Sequence, residues 1–283
     1  MIIILQYSKG DKIMAVFQCI ARSKVIGGGV QFMVILPEQC EKDVPVVYFL
    51  HGANATFYDT FKSTSIERYS TSRSLAIVLP TGANSYYSNM AIGQPYYKYI
   101  SEELIPYTRR VFGLSDKREK TFIAGFSMGG YGATKFALTE PEKFGAVASM
   151  SGVMDIYERN HGRDSYIPKA AWGLDFEDHL KDSDQDLFEL VRRLEASGKE
   201  KPWIYQCCGT EDDLLENNRI FNKFMEGRDF HYVYEESAGA HQWDYWDENI
   251  PKVLDFFRDY MKAHNVVEYI DKAKLPSSVI MKM

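Results

Sequence analysis

The chain has 283 residues, of which 45% are hydrophobic and 25% are charged, a composition typical of globular proteins. Its formal net charge of -6 at pH 7 excludes the broad basic surface that nucleic-acid binding requires. The apolar runs are far shorter than the ~20 residues that span a bilayer. We therefore predict a single domain over residues 1–283, with neither a nucleic-acid partner nor a membrane partner.

The four cysteines, Cys19, Cys40, Cys207 and Cys208, form no C-x-x-C pair. The sequence therefore predicts neither a zinc site nor a disulfide framework. Buried free thiols are the simpler interpretation, and they fit a reducing compartment. Because the opening "MIIIL" is too short for the core of a signal peptide, we expect a cytoplasmic protein.

The first residues raise a separate question about where translation begins. Codons for the run Lys9, Gly10, Asp11 can spell AAAGGAGAU, a bacterial ribosome-binding sequence, shortly before the codon of Met14. We therefore expect residues 1–13 to lie upstream of a natural start at Met14. Sequencing the amino terminus of the native protein tests this expectation.

Strand-like runs rich in Val, Ile, Tyr and Phe occur along the whole chain. They are Met14–Arg22, Val30–Leu36, Val44–Leu50, Leu75–Leu79, Thr121–Phe126, Ala146–Met150, Trp203–Cys208 and Phe230–Tyr234. From the third run onward they alternate with helical stretches, namely Tyr58–Tyr69, Pro95–Val111, Met128–Thr139, Asp186–Ala196, Leu214–Glu226 and Trp243–Lys262. The alternation predicts an α/β fold with a mostly parallel, eight-stranded sheet and helices on both faces. Ligands of such a sheet bind at the carboxyl ends of its strands.

One long stretch, Val153–Asp184, fits neither period and separates a predicted strand from a predicted helix. A connection of this length inside a compact domain is usually functional or disordered. We interpret residues 153–184 as a lid-like insertion over the strand ends. Residues 264–283 have little pattern and are expected to form a C-terminal tail.

Ser127 stands in "GFSMGG", which has the G-x-S-x-G spacing of a nucleophile elbow. A glycine-rich turn is the alternative, since chance produces this spacing in about one chain of this length in ten. The setting is more specific than the motif. Ser127 follows a buried strand and precedes a helical stretch that ends before Pro141, which is the order a nucleophile elbow needs.

A serine nucleophile needs a base, and the base needs an orienting acid. His241 is the candidate base, because "SAGAHQWDYW" follows the last predicted strand with small residues that let the backbone turn. The acid is expected in "CCGTEDDLL", which offers Glu211, Asp212 and Asp213 after the preceding strand. The chain order Ser, acid, His is that of α/β-hydrolases. Four other histidines are interpreted as structural or solvated, namely His161, His179, His231 and His264.

Acyl transfer also needs hydrogen-bond donors for the oxyanion of the tetrahedral intermediate. The sequence "FLHGAN", residues 49–54, follows the third predicted strand and brings backbone N–H groups towards Ser127. We assign the oxyanion hole to the backbone N–H groups of Ala53 and Met128. His51 is interpreted as a structural residue that holds this turn, and not as a second base.

Several motifs together resemble the esterase D-like α/β-hydrolases, namely "LHGAN", "YYSNM", "EELIP", "GFSMGGYGA", "GTEDDLL" and "GAHQWDYW". This family includes feruloyl and acetylxylan esterases, tributyrin-type esterases and S-formylglutathione hydrolases. The resemblance extends from Val30 to Tyr260. It implies Ser127 as nucleophile, His241 as base and Asp212 as acid, and it implies no cofactor and no metal.

The local sequence also favours Asp212 over Asp213 as the acid of the triad. A helix must begin near Leu214, so Asp213 is expected to be its N-cap, with Glu216 completing a capping box. Asp212, one residue earlier, is then free to orient His241.

Four aromatic residues are expected on loops near Ser127, namely Tyr86, Tyr87, Trp243 and Trp246. As the wall of a substrate pocket they would suit a short or aromatic acyl group or a sugar ring. Packing in the core is the alternative interpretation.

These patterns predict a serine carboxylesterase that hydrolyses short-chain or aromatic acyl esters of small molecules or oligosaccharides through an acyl-enzyme. One alternative is an S-formylglutathione (thioester) hydrolase, for which Arg159, Arg163 and Lys169 are candidate cations at the pocket mouth. Another is a non-catalytic binding protein on a hydrolase scaffold, although no member of the triad is lost. Acyl transfer to an alcohol and association into a homo-oligomer also stay open.

Overall fold

A nine-stranded sheet organises the computed structural model, which describes residues 2–6, 14–37 and 42–266. Its strands are β1 (Ile2–Gln6), β2 (Met14–Ser23), β3 (Gly28–Leu36), β4 (Val46–Leu50), β5 (Ala76–Pro80), β6 (Thr121–Phe126), β7 (Ala146–Met150), β8 (Trp203–Gly209) and β9 (Tyr232–Ser237). The spatial order is β1-β2-β3-β5-β4-β6-β7-β8-β9. The pairings β1·β2, β2·β3 and β3·β5 are antiparallel, and all pairings from β5 to β9 are parallel.

The predicted α/β fold with a mostly parallel sheet is confirmed, and all eight predicted strands are present. The ninth strand, β1, pairs with β2 at one edge, with Ile4 opposite Val16. The prediction contained no strand at this position, although the β-branched run in residues 2–4 favours one.

Helices cover both faces of this sheet. They are α1 (Phe57–Ser63), α2 (Ile66–Arg73), α3 (Tyr96–Lys98), α4 (Ile105–Phe112), α5 (Met128–Thr139), α6 (Ile156–Asn160), α7 (Tyr166–Trp172), α8 (Leu187–Ser197), α9 (Leu215–Met225) and α10 (Trp243–Ala263). A π-helical turn, Tyr99–Leu104, joins α3 to α4. No helix within the described ranges is long and apolar enough to cross a membrane.

The core consists of two apolar layers, one on each face of the sheet. One layer contains Tyr131 and Phe136 from α5 and Val191 from α8, and the other contains Ile250 and Phe257 from α10. Every residue of β4 and of β6 is buried, as expected for parallel strands that are covered on both faces. The sheet is therefore a rigid platform, and its strand ends can hold side chains in fixed positions.

The insertion Val153–Asp184 is more regular than its sequence indicated. It contains α6, α7 and a short 3₁₀ turn, Phe176–Asp178. The backbone carbonyls of Ala170 and Ala171 in α7 accept hydrogen bonds from the loop at 91–92, at 2.9 and 3.0 Å. Helices this short give too few turns for a periodic pattern to emerge. Of the predicted tail, only residues 264–266 are among the described residues.

Candidate active site

The turn between β6 and α5 carries Ser127 in a strained backbone conformation, with φ 56° and ψ -123°. The surrounding glycines are required because three backbones meet here. A Cβ on Gly129 would lie 2.2 Å from the carbonyl oxygen of Leu50, and one on Gly125 would lie 2.5 Å from the backbone of Gly129. The "GFSMGG" sequence therefore forms the sharp strand-to-helix turn that it predicted, and Ser127 stays partly exposed at its tip.

Three side chains from different strand ends form one hydrogen-bonded path. His241 Nε2 lies 2.9 Å from Ser127 Oγ, and His241 Nδ1 lies 3.0 Å from each carboxylate oxygen of Asp212. The Asp212 side chain has no exposed surface, whereas that of His241 is 28% exposed. The structure thus brings together the three predicted triad residues, with the acid buried and the serine and histidine accessible.

The environment of Asp212 favours its ionised form. Burial by itself raises the pKa of this carboxyl, but hydrogen bonds from His241 and from the Leu214 N–H outweigh burial and hold the pKa below its ordinary value. The Leu214 N–H donates to Oδ1 at 2.8 Å. An ionised Asp212 requires a proton on His241 Nδ1, which leaves Nε2 free to accept the proton of Ser127.

Backbone contacts hold the acid loop and the histidine loop together. The Thr210 N–H donates to the Ser237 carbonyl and the Glu211 N–H donates to the Gly239 carbonyl, both at 2.9 Å. The Glu211 carboxylate accepts from the Gly239 N–H in return. Glu211, one of the three acids considered from the sequence, therefore clamps the two loops, while Asp212 contacts His241.

The prediction that Asp213 caps α9 is wrong. The N-cap of this helix is Leu214, without a side-chain cap, so Glu216 completes no capping box. Asp213 is exposed, and its Oδ2 lies 2.9 Å from the Arg159 guanidinium of α6. The Asp212 carboxylate accepts the Leu214 N–H instead, and the tertiary ion pair holds Asp213 away from the helix end.

The loop after β4 is held by His51, as predicted. Its buried ring donates from Nδ1 to the Gly52 carbonyl at 2.8 Å and accepts the Gly82 N–H at Nε2, at 3.0 Å. Burial lowers the pKa of His51, so the ring is neutral and structural. A Cβ on Gly52 would lie 3.3 Å from the Ser127 Cβ, so this loop passes directly beside the serine.

Three of the four predicted pocket aromatics, Tyr86, Tyr87 and Trp246, are buried, which argues against direct contact with a substrate. Tyr87 is 0% exposed, lies against Gly132, and donates its hydroxyl to the His51 carbonyl at 2.9 Å. Trp246 is 6% exposed and stacks on Phe126 at 4.4 Å. Both rings belong to the support of the site, because neither has the accessible surface that a substrate contact needs.

Tyr86 is also buried, with 8% of its surface exposed, so of the four aromatics Trp243 alone keeps accessible surface. Tyr86 packs at 4.5 Å on Trp172 of the insertion, and its N–H points to Met128 Sδ at 3.4 Å. Trp243 is partly exposed and packs at 5.0 Å against Phe126. Sequence reasoning missed Trp172, which stands in no motif.

Among the described residues, Asp212, Asp213 and His241 form a group whose ligand atoms lie within 4.8 Å of one another. These atoms already have partners, since Asp212 binds His241 and Asp213 binds Arg159. A metal ion would have to break both contacts, so the group does not fit a metal site.

The cysteine prediction holds for the residues the structure describes. Cys19, Cys207 and Cys208 are buried and free, and Cys40 lies outside the described residues. Burial raises the pKa of Cys207 to about 12, so this thiol is protonated at neutral pH.

Comparison with known proteins places these features in a family. The Esterase family model, described as "Putative esterase", matches residues 23–257. An acetyl esterase of Caldicellulosiruptor saccharolyticus is 32% identical over 260 residues, covering 86% of this chain and 98% of the relative.

Two solved structures from Staphylococcus aureus resemble the whole fold. The substrate-bound, fluorophosphonate-binding serine hydrolase FphF has a TM-score of 0.81 at 32% identity, with 86% of this chain and 98% of that chain covered. The S-formylglutathione hydrolase FrmB has a TM-score of 0.78 at the same identity and coverage.

Proposed function

Since this chain belongs to the Esterase family and is a carboxylic ester hydrolase, we propose that Ser127 is its nucleophile, His241 its general base and Asp212 its orienting acid. The observation that carries this proposal is the unbroken path from Ser127 Oγ through both nitrogens of His241 to the Asp212 carboxylate. A non-catalytic scaffold would be expected to lack part of this path.

In the proposed reaction, Ser127 Oγ attacks the ester carbonyl while His241 Nε2 accepts its proton. The C–O bond of the alcohol then breaks, and His241 returns the proton to the departing oxygen, leaving an acyl-serine. Water repeats the sequence, with His241 again as base, and releases the carboxylic acid. Asp212 stabilises the imidazolium that forms in each half, without accepting the proton itself.

We assign the oxyanion hole to the backbone N–H groups of Ala53 and Met128. Met128 is the first residue of α5, so no earlier helical carbonyl takes its N–H. Ala53 follows Gly52, whose Cα faces the serine, and the buried His51 ring fixes this loop before substrate arrives. Preorganisation of both donors is what makes such a hole effective.

We propose short acyl groups as the preferred substrates, with acetyl the first choice. The acetyl esterase relative supports this choice. So does the packing of Tyr86 against Trp172 beside Met128, because two large rings there would leave little room for a long acyl chain. Aromatic acyl groups of the feruloyl type are the extension we consider, because aromatic walls also stack with rings. For the alcohol part of the ester, we propose the hydroxyl groups of oligosaccharides.

A panel of esters tests the activity and the preference together. Wild type should hydrolyse p-nitrophenyl acetate and butyrate, and Ser127→Ala should lose nearly all of that activity with an unchanged melting temperature. Methyl ferulate and acetylated xylo-oligosaccharides in the same panel decide between the acyl classes. Full activity in Ser127→Ala would show that another group is the nucleophile.

Thioester hydrolysis is the second candidate, supported by the likeness to the S-formylglutathione hydrolase FrmB. Of the three cations considered for it, Arg159 already pairs with Asp213 and Lys169 with Asp164. Only the exposed Arg163 has no carboxylate partner among the described residues. A kcat/KM for S-formylglutathione above that for p-nitrophenyl acetate, and lowered by Arg163→Ala, would favour the thioester.

The cytoplasmic location is likewise a proposal. Its support is the set of free, buried cysteines, Cys19, Cys207 and Cys208, which suits a reducing compartment. Fractionation of the source cells, followed by detection with an antibody, tests it.

A further inference from the structure

Ala53, whose N–H is one of the two proposed oxyanion donors, lies in a tight turn at residues 52–55, here called the oxyanion turn. The Ala55 N–H closes this turn by donating to the Gly52 carbonyl at 3.4 Å. Asn54 within it has a left-handed backbone, with φ 59°, a conformation that asparagine adopts more readily than most residues. No acceptor within residues 2–6, 14–37 and 42–266 takes a hydrogen bond from the Ala53 N–H. This donor is therefore available to an oxyanion.

The peptide unit before Ala53 is oriented by the His51 ring. Its Nδ1 donates to the Gly52 carbonyl at 2.8 Å, and its Nε2 accepts the Gly82 N–H at 3.0 Å. The Tyr87 hydroxyl donates to the His51 carbonyl at 2.9 Å and holds the start of the turn. Because a peptide unit is planar, fixing the Gly52 carbonyl also fixes the direction of the Ala53 N–H.

The peptide unit after Ala53 is held by a reciprocal pair of asparagines. The Asn54 N–H donates to Asn84 Oδ1 at 2.7 Å, and Asn84 Nδ2 donates to Asn54 Oδ1 at 2.9 Å. Asn84 stands two residues after Gly82, so a single loop, residues 81–88, is bonded to both sides of Ala53. Asn54 is exposed and Asn84 is half-buried, so water competes for both bonds and their contribution to stability is small. Their larger effect is on the geometry of the turn.

We propose that Asn84, paired with Asn54, positions the Ala53 N–H for the oxyanion of the tetrahedral intermediate. Both asparagines are positioning residues, because they act through the backbone of Ala53 and not on the reacting atoms. The inference rests on the proposed nucleophile, Ser127, and on Ala53 as an oxyanion donor. Without the Asn84 side chain, Asn54 loses both hydrogen bonds to the 81–88 loop. The donor is then less preorganised, and preorganisation is what makes an oxyanion hole effective.

The test compares Asn84→Ala, Asn54→Gly and the double variant with a matched control, Asn89→Ala. Asn54→Gly removes the side-chain amide but keeps the backbone N–H that binds Asn84, and glycine adopts the left-handed conformation without steric cost. Asn89 makes the same kind of bond elsewhere, since its Oδ1 accepts the Lys98 N–H at 2.9 Å. Each variant is assayed with p-nitrophenyl acetate. Its kcat is expressed per active site titrated with a fluorophosphonate, so unfolded protein does not lower it.

Asn84→Ala should lower kcat by roughly 10-fold, less than the about 10²- to 10³-fold loss that follows complete removal of an oxyanion donor. KM should stay within a few-fold, because the oxyanion exists only after the attack. Asn54→Gly should cause a smaller loss, and the double variant should match Asn84→Ala, because the two asparagines act as one unit. Asn89→Ala should stay within about twofold of wild type. A kcat in Asn84→Ala equal to that of Asn89→Ala, or multiplicative losses in the double variant, would overturn the proposal.

A trifluoromethyl ketone inhibitor distinguishes positioning of the donor from a general loss of structure. Its adduct with a serine carries an oxyanion in the hole, so its affinity depends directly on the donors. Its Ki should rise in Asn84→Ala by the factor by which kcat/KM falls, and stay unchanged in Asn89→Ala. A lower kcat with an unchanged Ki would mean that Asn84 acts elsewhere, against the proposal. If Asn84→Ala does not fold, Asn54→Gly provides the same comparison.

A readout without substrate separates this inference from the proposed function. In protein with isotope-labelled alanine, the amide NMR signal of Ala53 is identified by its loss in Ala53→Gly. This signal should shift or broaden in Asn84→Ala and stay unchanged in Asn89→Ala. An unchanged signal in Asn84→Ala contradicts the positioning role whatever the activity. Esterase activity that survives in Ser127→Ala contradicts the proposed function instead.

Discussion

Asp212 and Asp213 are adjacent in sequence but have opposite environments. The Asp212 side chain has no exposed surface and contacts His241, whereas that of Asp213 is 59% exposed and pairs with Arg159. A buried carboxylate with a complete set of donors is held in one orientation, and an exposed ion pair is held weakly. The two residues should therefore respond differently to the same substitution.

Asp212→Asn should lower kcat by about 10³- to 10⁴-fold with little change in stability, because the amide favours the wrong tautomer of His241. Asp213→Asn is the matched control. Since an exposed ion pair contributes at most about 1 kcal/mol, this variant should keep activity within a few-fold. Ester hydrolysis and thermal melts measure both, and the reverse pattern would show that Asp213 is the acid.

The sequence was sufficient to place Ser127, Asp212 and His241, because catalytic chemistry restricts both residue type and chain order. It was not sufficient to assign Asp213, whose partner Arg159 is more than fifty residues away in the chain. The local sequence favoured Asp213 as a helix cap, but in the structure Asp213 forms an ion pair with Arg159 instead. The same limit applies to Trp246, since burial of an aromatic residue depends on neighbours that no local pattern contains.

At the scale of elements, α5 is tied to the insertion through a buried lysine. Lys135 Nζ lies 2.9 Å from Ser88 Oγ and 2.8 Å from Gln185 Oε1, and the Trp172 indole donates to the same two oxygens at 3.2 Å. Burial lowers the pKa of Lys135 to about 7. This cluster joins the helix that follows Ser127 to the segment that packs on Tyr86.

Lys135→Met should alter how stability depends on pH. The lysine pKa is near 10.4 in an unfolded chain and about 7 in the fold, so between these values the unfolded state binds more protons. The wild-type free energy of unfolding, relative to Lys135→Met, should therefore rise from pH 7 to pH 9, by up to about 1.4 kcal/mol per pH unit. Urea titrations at three pH values measure it.

The control for this comparison is Lys199→Met, since that lysine side chain is 58% exposed. The free energy of unfolding of Lys199→Met should change with pH in the same way as that of wild type across this range. Parallel pH curves for wild type and Lys135→Met would mean that the buried ammonium is stabilised as well in the fold as in water.

The close contact between the backbones of β4, β6 and α5 predicts that adding one methyl group at Gly129 strongly destabilises the fold. A Cβ on Gly129 would lie 2.2 Å from the Leu50 carbonyl oxygen, whereas a Cβ on Gly29 meets nothing within 4 Å. Gly129→Ala should cost about 3 kcal/mol or more, because backbone cannot move aside as a side chain can. Gly29→Ala should be close to neutral. Equal melting temperatures for the two would contradict the close packing.

Most elements could be predicted because strands and long helices carry a period. The exceptions have tertiary causes. The predicted helix Tyr58–Tyr69 is interrupted at Thr64–Ser65, where the Ser65 N–H donates to Asp247 of α10 at 2.6 Å. A backbone N–H that finds a tertiary acceptor no longer needs the helical one, and the sequence around it does not show this.

At the scale of the whole molecule, we propose that the insertion and the sheet together shape the acyl pocket. If Tyr86 and Trp172 form its wall, wild type should turn over butyryl esters faster than dodecanoyl esters. Trp172→Ala should narrow that ratio by removing the 4.5 Å contact with Tyr86. Steady-state kcat/KM values for p-nitrophenyl esters of increasing chain length measure the ratio. A wild type that prefers the dodecanoyl ester would contradict a closed pocket.

The most direct test of the account is to locate a mechanism-based label. A fluorophosphonate reacts only with a serine whose hydroxyl is activated by a neighbouring base, so it reports the nucleophile itself. Wild type, Ser127→Ala and His241→Ala are treated with the probe, digested, and analysed by peptide mass spectrometry. The account predicts one modified residue, Ser127, with no label in Ser127→Ala and strongly slowed labelling in His241→Ala. A label on another serine, or labelling of His241→Ala at the wild-type rate, would contradict it.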